Sequence, residues 1–121
     1  MPQITVDYTA VLEDSDAFDM DGFARALHEA VVEIAAAKPE ACKTLFRDAL
    51  SAYAYEPMDR QPAVVHVTIG LLAGRSEETK ARLTETVLEL LRRHVTPEDG
   101  VTLRASAEVR DLDPSYRKFE G

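Results

Sequence analysis

Val64-Val65-His66-Val67-Thr68-Ile69-Gly70-Leu71-Leu72-Ala73-Gly74-Arg75-Ser76-Glu77-Glu78 passes from strand to turn to helix within one short stretch. The β-branched run from Val64 to Ile69 suits a pleated, buried surface. Gly74 breaks it, since glycine tolerates backbone angles that other residues resist. Ser76 then has the chemistry of a helix N-cap, with Glu77 and Glu78 in the first turn, where the helix dipole favours anions. Leu83, Val87, Leu90 and Leu91 recur at helical spacing, and Arg92, Arg93 and His94 fall in the last turn, where the dipole favours cations. Beyond residues 97–100 comes a final strand over 102–110. The second half of the chain therefore reads as a strand over 63–72, a helix and a strand, a βαβ unit.

The first half has the same layout, although residue-level similarity between the halves is slight. A strand over 3–8 leads through an acidic loop to a helix whose apolar face is Met20, Phe23, Leu27, Val31 and Ile34, and Pro39 marks its end. The stretch 43–55 is ambiguous. Leu45, Ala49 and Tyr53 fit a helical period, Tyr53 and Tyr55 an extended one, and it is assigned as the strand that completes the first unit. Residues 102–110 alternate strictly, with Leu103, Ala105, Ala107 and Val109 on one side and polar residues on the other. By contrast, Val64, Val65, Val67, Ile69, Leu71 and Leu72 suggest a central strand with apolar side chains on both faces. Two helices cover only one face of such a sheet, so a sister subunit is expected on the other.

Composition narrows the function. The chain has 121 residues, expected as a single domain over 1–121, and its 45% hydrophobic content is that of a globule. Fourteen basic and 22 acidic side chains give a net charge of −8, which repels a phosphate backbone; nucleic acid is not an expected partner. No apolar run is long enough to span a membrane and no leader-like segment opens the chain, so no membrane partner and a cytoplasmic location are expected. The single Cys42 has no internal disulfide partner, and His28, His66 and His94 are scattered over different elements, so no metal site is expected.

Pro2 stands directly behind Met1 and ahead of the first strand. If Met1 is removed, the chain begins with a secondary amine held at the start of a rigid element. An α-amino group titrates at roughly 8, burial lowers that value, and a base near neutrality is the efficient kind for proton transfer.

Pro2, the run Val65-His66-Val67-Thr68 leading to Ala73-Gly74-Arg75-Ser76, the helix that follows, and the closing Ala107-Glu108-Val109-Arg110-Asp111-Leu112-Asp113-Pro114 together resemble the 5-carboxymethyl-2-hydroxymuconate isomerase branch of the tautomerase superfamily. The resemblance spans the chain, most specifically over 65–91 and weakly over 13–55. It implies an α+β fold, a β-α-β-β-α-β tautomerase-like subunit with a four-stranded mixed sheet and two helices on one face, assembled as a homotrimer. It also implies a cofactor-independent isomerase in which the amino-terminal proline, Pro2, is the catalytic base. Arg75 matches the arginine of the family's glycine-arginine-serine turn, which binds substrate carboxylate and stabilises the dienolate. The family's Arg-x-Arg pair aligns with Lys43-Thr44-Leu45. Lys43 keeps a charge without the planar fork of arginine, Leu45 has none, and Arg47 lies on the same strand face as both.

The expected activity is keto-enol tautomerisation of a small unsaturated keto or enol acid, with Pro2 and Arg75 catalytic and Lys43 and Arg47 binding the carboxylate substrate. The alternative is a catalytically inactive trimeric binding or structural protein on the same scaffold. His66, among valines, reads as a hydrogen-bonded core or interface histidine. The acidic cluster Glu13, Asp14, Asp16, Asp19 and Asp21 reads as a solvated loop with a helix cap. The aromatic tail, residues 115–121, is open between a frayed end and a reach toward a neighbouring subunit.

Overall fold

The computed structural model describes residues 2–121. In chain order the elements are β1 (Gln3–Thr9), a short helix α1 (Val11–Asp14), α2 (Met20–Ala35), a 3-10 turn (Pro39–Ala41), β2 (Lys43–Ala49), β3 (Gln61–Leu71), α3 (Glu77–His94) and β4 (Val101–Asp111). The sheet order is β2-β1-β3-β4. Each helical crossover leaves its two strands parallel, β1 with β2 and β3 with β4, and the two units join through the antiparallel pair β1 and β3. This is the expected four-stranded mixed sheet with its two long helices on one face.

The helices start and stop where their side chains dictate. Ser76 Oγ accepts from the Thr79 amide at 3.1 Å, capping α3 as its sequence signals. Asp19 accepts from the Gly22 amide at 3.1 Å and caps α2, which ends before Ala36 in the left-handed region at φ 56°. The core is a single layer between helices and sheet. Ile4, Val6 and Tyr8 of β1 and Ala63, Val65, Val67, Ile69 and Leu71 of β3 meet Phe23, Leu27 and Val31 of α2 and Leu83, Val87, Leu90 and Leu91 of α3, all buried.

β3 departs from the expectation of two apolar faces. Its buried side chains, Ala63, Val65, Val67, Ile69 and Leu71, are on the helix side, while Val64, His66 and Thr68 on the other are only partly buried. Val64 faces the open side and is only partly buried, and Leu72 lies just past the strand and is exposed, so the period of two along β3 gives an ordinary one-sided strand. The open face is consequently polar and carries its own ion pairs, Arg47 to Asp7 and His66 and Arg110 to Glu108. β2 also stops at Ala49 instead of running to residue 55. It is an edge strand whose only neighbour, β1, ends at Thr9, and the Ala10 amide closes the ladder on the Ala49 carbonyl at 2.8 Å. Residues 50–60 then run irregularly, leaving Leu50, Tyr53, Tyr55 and Met58 fully in solvent. No helix among the described residues is long and apolar enough to cross a membrane.

Tyr8 supplies a pH test of this packing. Its ring is buried and its hydroxyl donates to Glu13 Oε1 at 2.7 Å; burial first, and the carboxylate second, push its pKa from 10.0 to about 12. The folded chain thus keeps a proton that the unfolded chain releases near pH 10. Stability is full below that value and falls as pH rises toward 12. Tyr8→Phe should flatten this decline in urea unfolding followed between pH 9 and 12, and an unchanged slope would place the titration elsewhere.

Candidate active site

Pro2 is buried at the mouth of β1. Gln3, the next residue, pairs with Gly70 on one side and Lys43 on the other, so the proline lies where β3 ends and β2 begins. The same end of the sheet receives the C-terminus of α2, because the crossover from α2 leads into β2 there, and the β3-to-α3 turn that carries Arg75. The Leu112 amide donates to the Leu71 carbonyl at 2.7 Å, which brings the chain leaving β4 to this end as well. Gly70 leaves room for that approach: a Cβ on it would stand 2.7 Å from Leu112 Cδ2, and the leucine side chain would have to shift.

Arg75 is not a solvated loop residue. Its Nε and Nη2 donate to the Ala35 carbonyl at 3.2 and 2.9 Å, and Nη1 to the Leu72 carbonyl at 3.3 Å. The guanidinium thereby satisfies a carbonyl left over at the end of α2, where the helix dipole favours a cation. Each terminal nitrogen retains a second N–H. Among the described residues no carboxylate pairs with Arg75, in contrast to the other two predicted cations.

Lys43 opens β2 beside Gln3, and its ammonium lies 2.8 Å from Glu120 Oε2, a contact that raises its pKa. Arg47 shares the open face with Lys43 and Leu45, as expected, but four residues along a strand is roughly 13 Å. There it grips Asp7 with two hydrogen bonds of 2.9 and 3.1 Å. The fold therefore gathers Pro2, Lys43 and the Arg75 turn at one end of the sheet and leaves Arg47 partway along it. Leu45, 58% exposed, stands between Lys43 and Arg47 opposite Thr5.

The tail completes this end. Residues 115–121 fold back on their own subunit, and Gln3, Lys43, Tyr116, Arg117, Lys118, Phe119 and Glu120 enclose a pocket of about 410 Å³. Three of the linings are cationic and one is anionic, in a chain of net charge −8. The sequence marked this segment only by its aromatics; Arg117, Lys118 and Glu120 carry no periodic signal that would have placed them near Pro2. A larger cavity, about 620 Å³, lies between the acidic loop and the end of α3, where the four carboxylates of Glu13, Asp16, Asp19 and Asp21 outnumber Arg93 and His94 and disfavour an acid. His66 is hydrogen-bonded on the open face, to Ser106 Oγ at 2.6 Å and Glu108 Oε1 at 3.2 Å. Among the described residues no three metal-ligating side chains cluster.

The β-α-β-β-α-β order and this sheet are those of the tautomerase superfamily, and solved structures share them. A 5-carboxymethyl-2-hydroxymuconate isomerase from Deinococcus radiodurans R1 superposes with a TM-score of 0.73 at 23% identity, over 98% of this chain and 90% of its own. A 5-carboxymethyl-2-hydroxymuconate delta-isomerase gives 0.67 at 15% identity, over 100% and 89%. FG41 malonate semialdehyde decarboxylase, inhibited by 3-bromopropiolate, gives 0.64 at 24%, over 99% and 90%. No curated protein sequence matches the chain. The family model for 5-carboxymethyl-2-hydroxymuconate isomerase matches residues 2–119, and the chain belongs to that isomerase family.

Proposed function

We propose that the chain, with Met1 removed, is a cofactor-independent tautomerase of small unsaturated keto or enol acids, with the Pro2 nitrogen as general base and Arg75 as the cation that holds the carboxylate and stabilises the dienolate. The observation that carries this reading is the buried Pro2 at the end of the sheet that also receives Arg75, a guanidinium without a carboxylate partner among the described residues. Moving a proton along a conjugated acid needs a base of near-neutral pKa, a fixed cation and restricted water. The free amine takes the proton from one end of the conjugated system and returns it to the other. Arg75, anchored on two carbonyls, would need little reorganisation to meet the charge that develops on oxygen. A homotrimer fits the same reading: Leu50, Tyr53, Tyr55 and Met58 are apolar and exposed on the isolated subunit, and a fold neighbour, fused 4-OT, forms a symmetric trimer.

Activity on phenylenolpyruvate, measured before and after Met1 removal, tests the assignment directly. Substrate range tests it further. A dianionic muconate needs a cation for each carboxylate, and a lost charge-assisted hydrogen bond costs about 1.5 to 3 kcal/mol, roughly ten- to a hundredfold or more in binding. Leu45 has no charge, Arg47 is bound by Asp7, and the Lys43 ammonium is already held by Glu120. Wild type should be poor on 5-carboxymethyl-2-hydroxymuconate and less handicapped on monoacids, Arg75→Ala should damage both, and Leu45→Arg should recover part of the dianion preference in kcat/KM. A wild type that already strongly prefers the dicarboxylate, unchanged by Leu45→Arg, would show the second carboxylate held elsewhere.

A further inference from the structure

We propose that Lys43 and Lys118 form a carboxylate subsite of the active site, and that the chain's own Glu120 occupies it as a tethered competitor which a substrate acid must displace. The inference rests on reading the Pro2 end as the active site. Glu120 Oε2 lies 2.8 Å from Lys43 Nζ and 3.8 Å from Lys118 Nζ, so one carboxylate oxygen sits between two ammonium groups in the pocket that begins one residue from Pro2. Glu120 presents the functional group a keto or enol acid would present, and its own pKa is lowered, first by the hydrogen bond from Lys43.

The tail is built to move. Its base is fixed by a turn, in which the Tyr116 amide donates to the Asp113 carbonyl at 2.9 Å and the Ser115 amide to Asp113 Oδ1 at 2.8 Å. Arg117 braces that turn by donating to the Pro114 and Tyr116 carbonyls at 3.2 and 2.8 Å. Past Tyr116, no backbone hydrogen bond joins the tail to the rest of the described residues, and Phe119 is 92% exposed, so burial adds little. What holds the tip is the Glu120 ion pair, half in water. Such pairs are weak and screened by salt, which suits a competitor that must yield. A ligand that meets a partly closed site loses apparent affinity in proportion to the closed fraction.

Two measurements test this on the full chain with Met1 removed. In the first, trypsin cleaves after Arg117 and Lys118. Cleavage should be several-fold faster in Glu120→Gln, and in wild type with succinate than with chloride at equal ionic strength; in Lys43→Met, succinate should add nothing. In the second, Glu120→Gln should lower KM for 5-carboxymethyl-2-hydroxymuconate, whose second carboxylate would enter the subsite, by about two- to fivefold, the range expected of an exposed ion pair, with kcat unchanged and KM for phenylenolpyruvate, whose one carboxylate goes to Arg75, unmoved. An unchanged or higher KM for the muconate in Glu120→Gln overturns the proposal, as does cleavage indifferent to succinate. If no variant tautomerises phenylenolpyruvate, the enzymatic reading fails by itself, and the succinate effect on cleavage still decides whether Glu120 guards a carboxylate subsite.

Discussion

Pro2→Ala is expected to lose about 10²- to 10⁴-fold in tautomerase rate, the usual contribution of a general base, while its circular dichroism and melting stay close to wild type. Alanine leaves a primary amine in place of a secondary one, with different basicity and without the ring that fixes the nitrogen's direction at the start of β1. Pro2 precedes the strand ladders, which begin with Gln3 pairing to Gly70 and Lys43, so no hydrogen bond of the sheet depends on its ring. Protein that retains Met1 should be as inactive as the variant, because an acylated proline nitrogen has no basic lone pair. Equal rates for processed, unprocessed and Pro2→Ala protein would remove the proline from the chemistry and favour the inactive trimeric scaffold.

Val67→Lys and Thr68→Lys, neighbours on β3, should fail in different ways. Val67 is fully buried against the helices and Thr68 faces the open side. An unpaired charge at position 67 costs several kcal/mol, a large part of the 5 to 15 kcal/mol typical of a whole domain, and that variant should not fold. Lysine at position 68 has Glu108 as its β4 neighbour and water above it in a single subunit. It should fold, yet place like charges together if three open faces meet around an axis. Sedimentation should then report a trimer for wild type and a folded monomer for Thr68→Lys. A Thr68→Lys protein that stays trimeric would remove the open face from the interface.

Local chemistry made much of the fold legible. The stripe of α3 is set by the backbone period of 3.6, and the cap at Ser76 by a side-chain oxygen within reach of the Thr79 amide, both of which any reader of the chain can find. The resemblance, most specific over residues 65–91, led to the isomerase family and to Arg75, and Pro2 was singled out by its place behind Met1. The same counting misjudged β3, where Val64 inside the strand and Leu72 just past it imitated a second apolar face, and it extended β2 past Ala49 because nothing local says that β1 has already ended.

The sequence by itself determined the strand-helix-strand order of both halves, the apolar faces of the two long helices and the residue types available for acid chemistry. Only the tertiary structure decided which of its charges pair with one another. Arg47 meets Asp7 across 40 residues of chain, and Lys43 meets Glu120 at the far end of it. Arg75 instead rests on the carbonyl that ends α2. Periodicity is a property of neighbouring peptide units and survives in any window of sequence, whereas these pairings depend on strand register and on the path of the tail, which exist only once the sheet has formed.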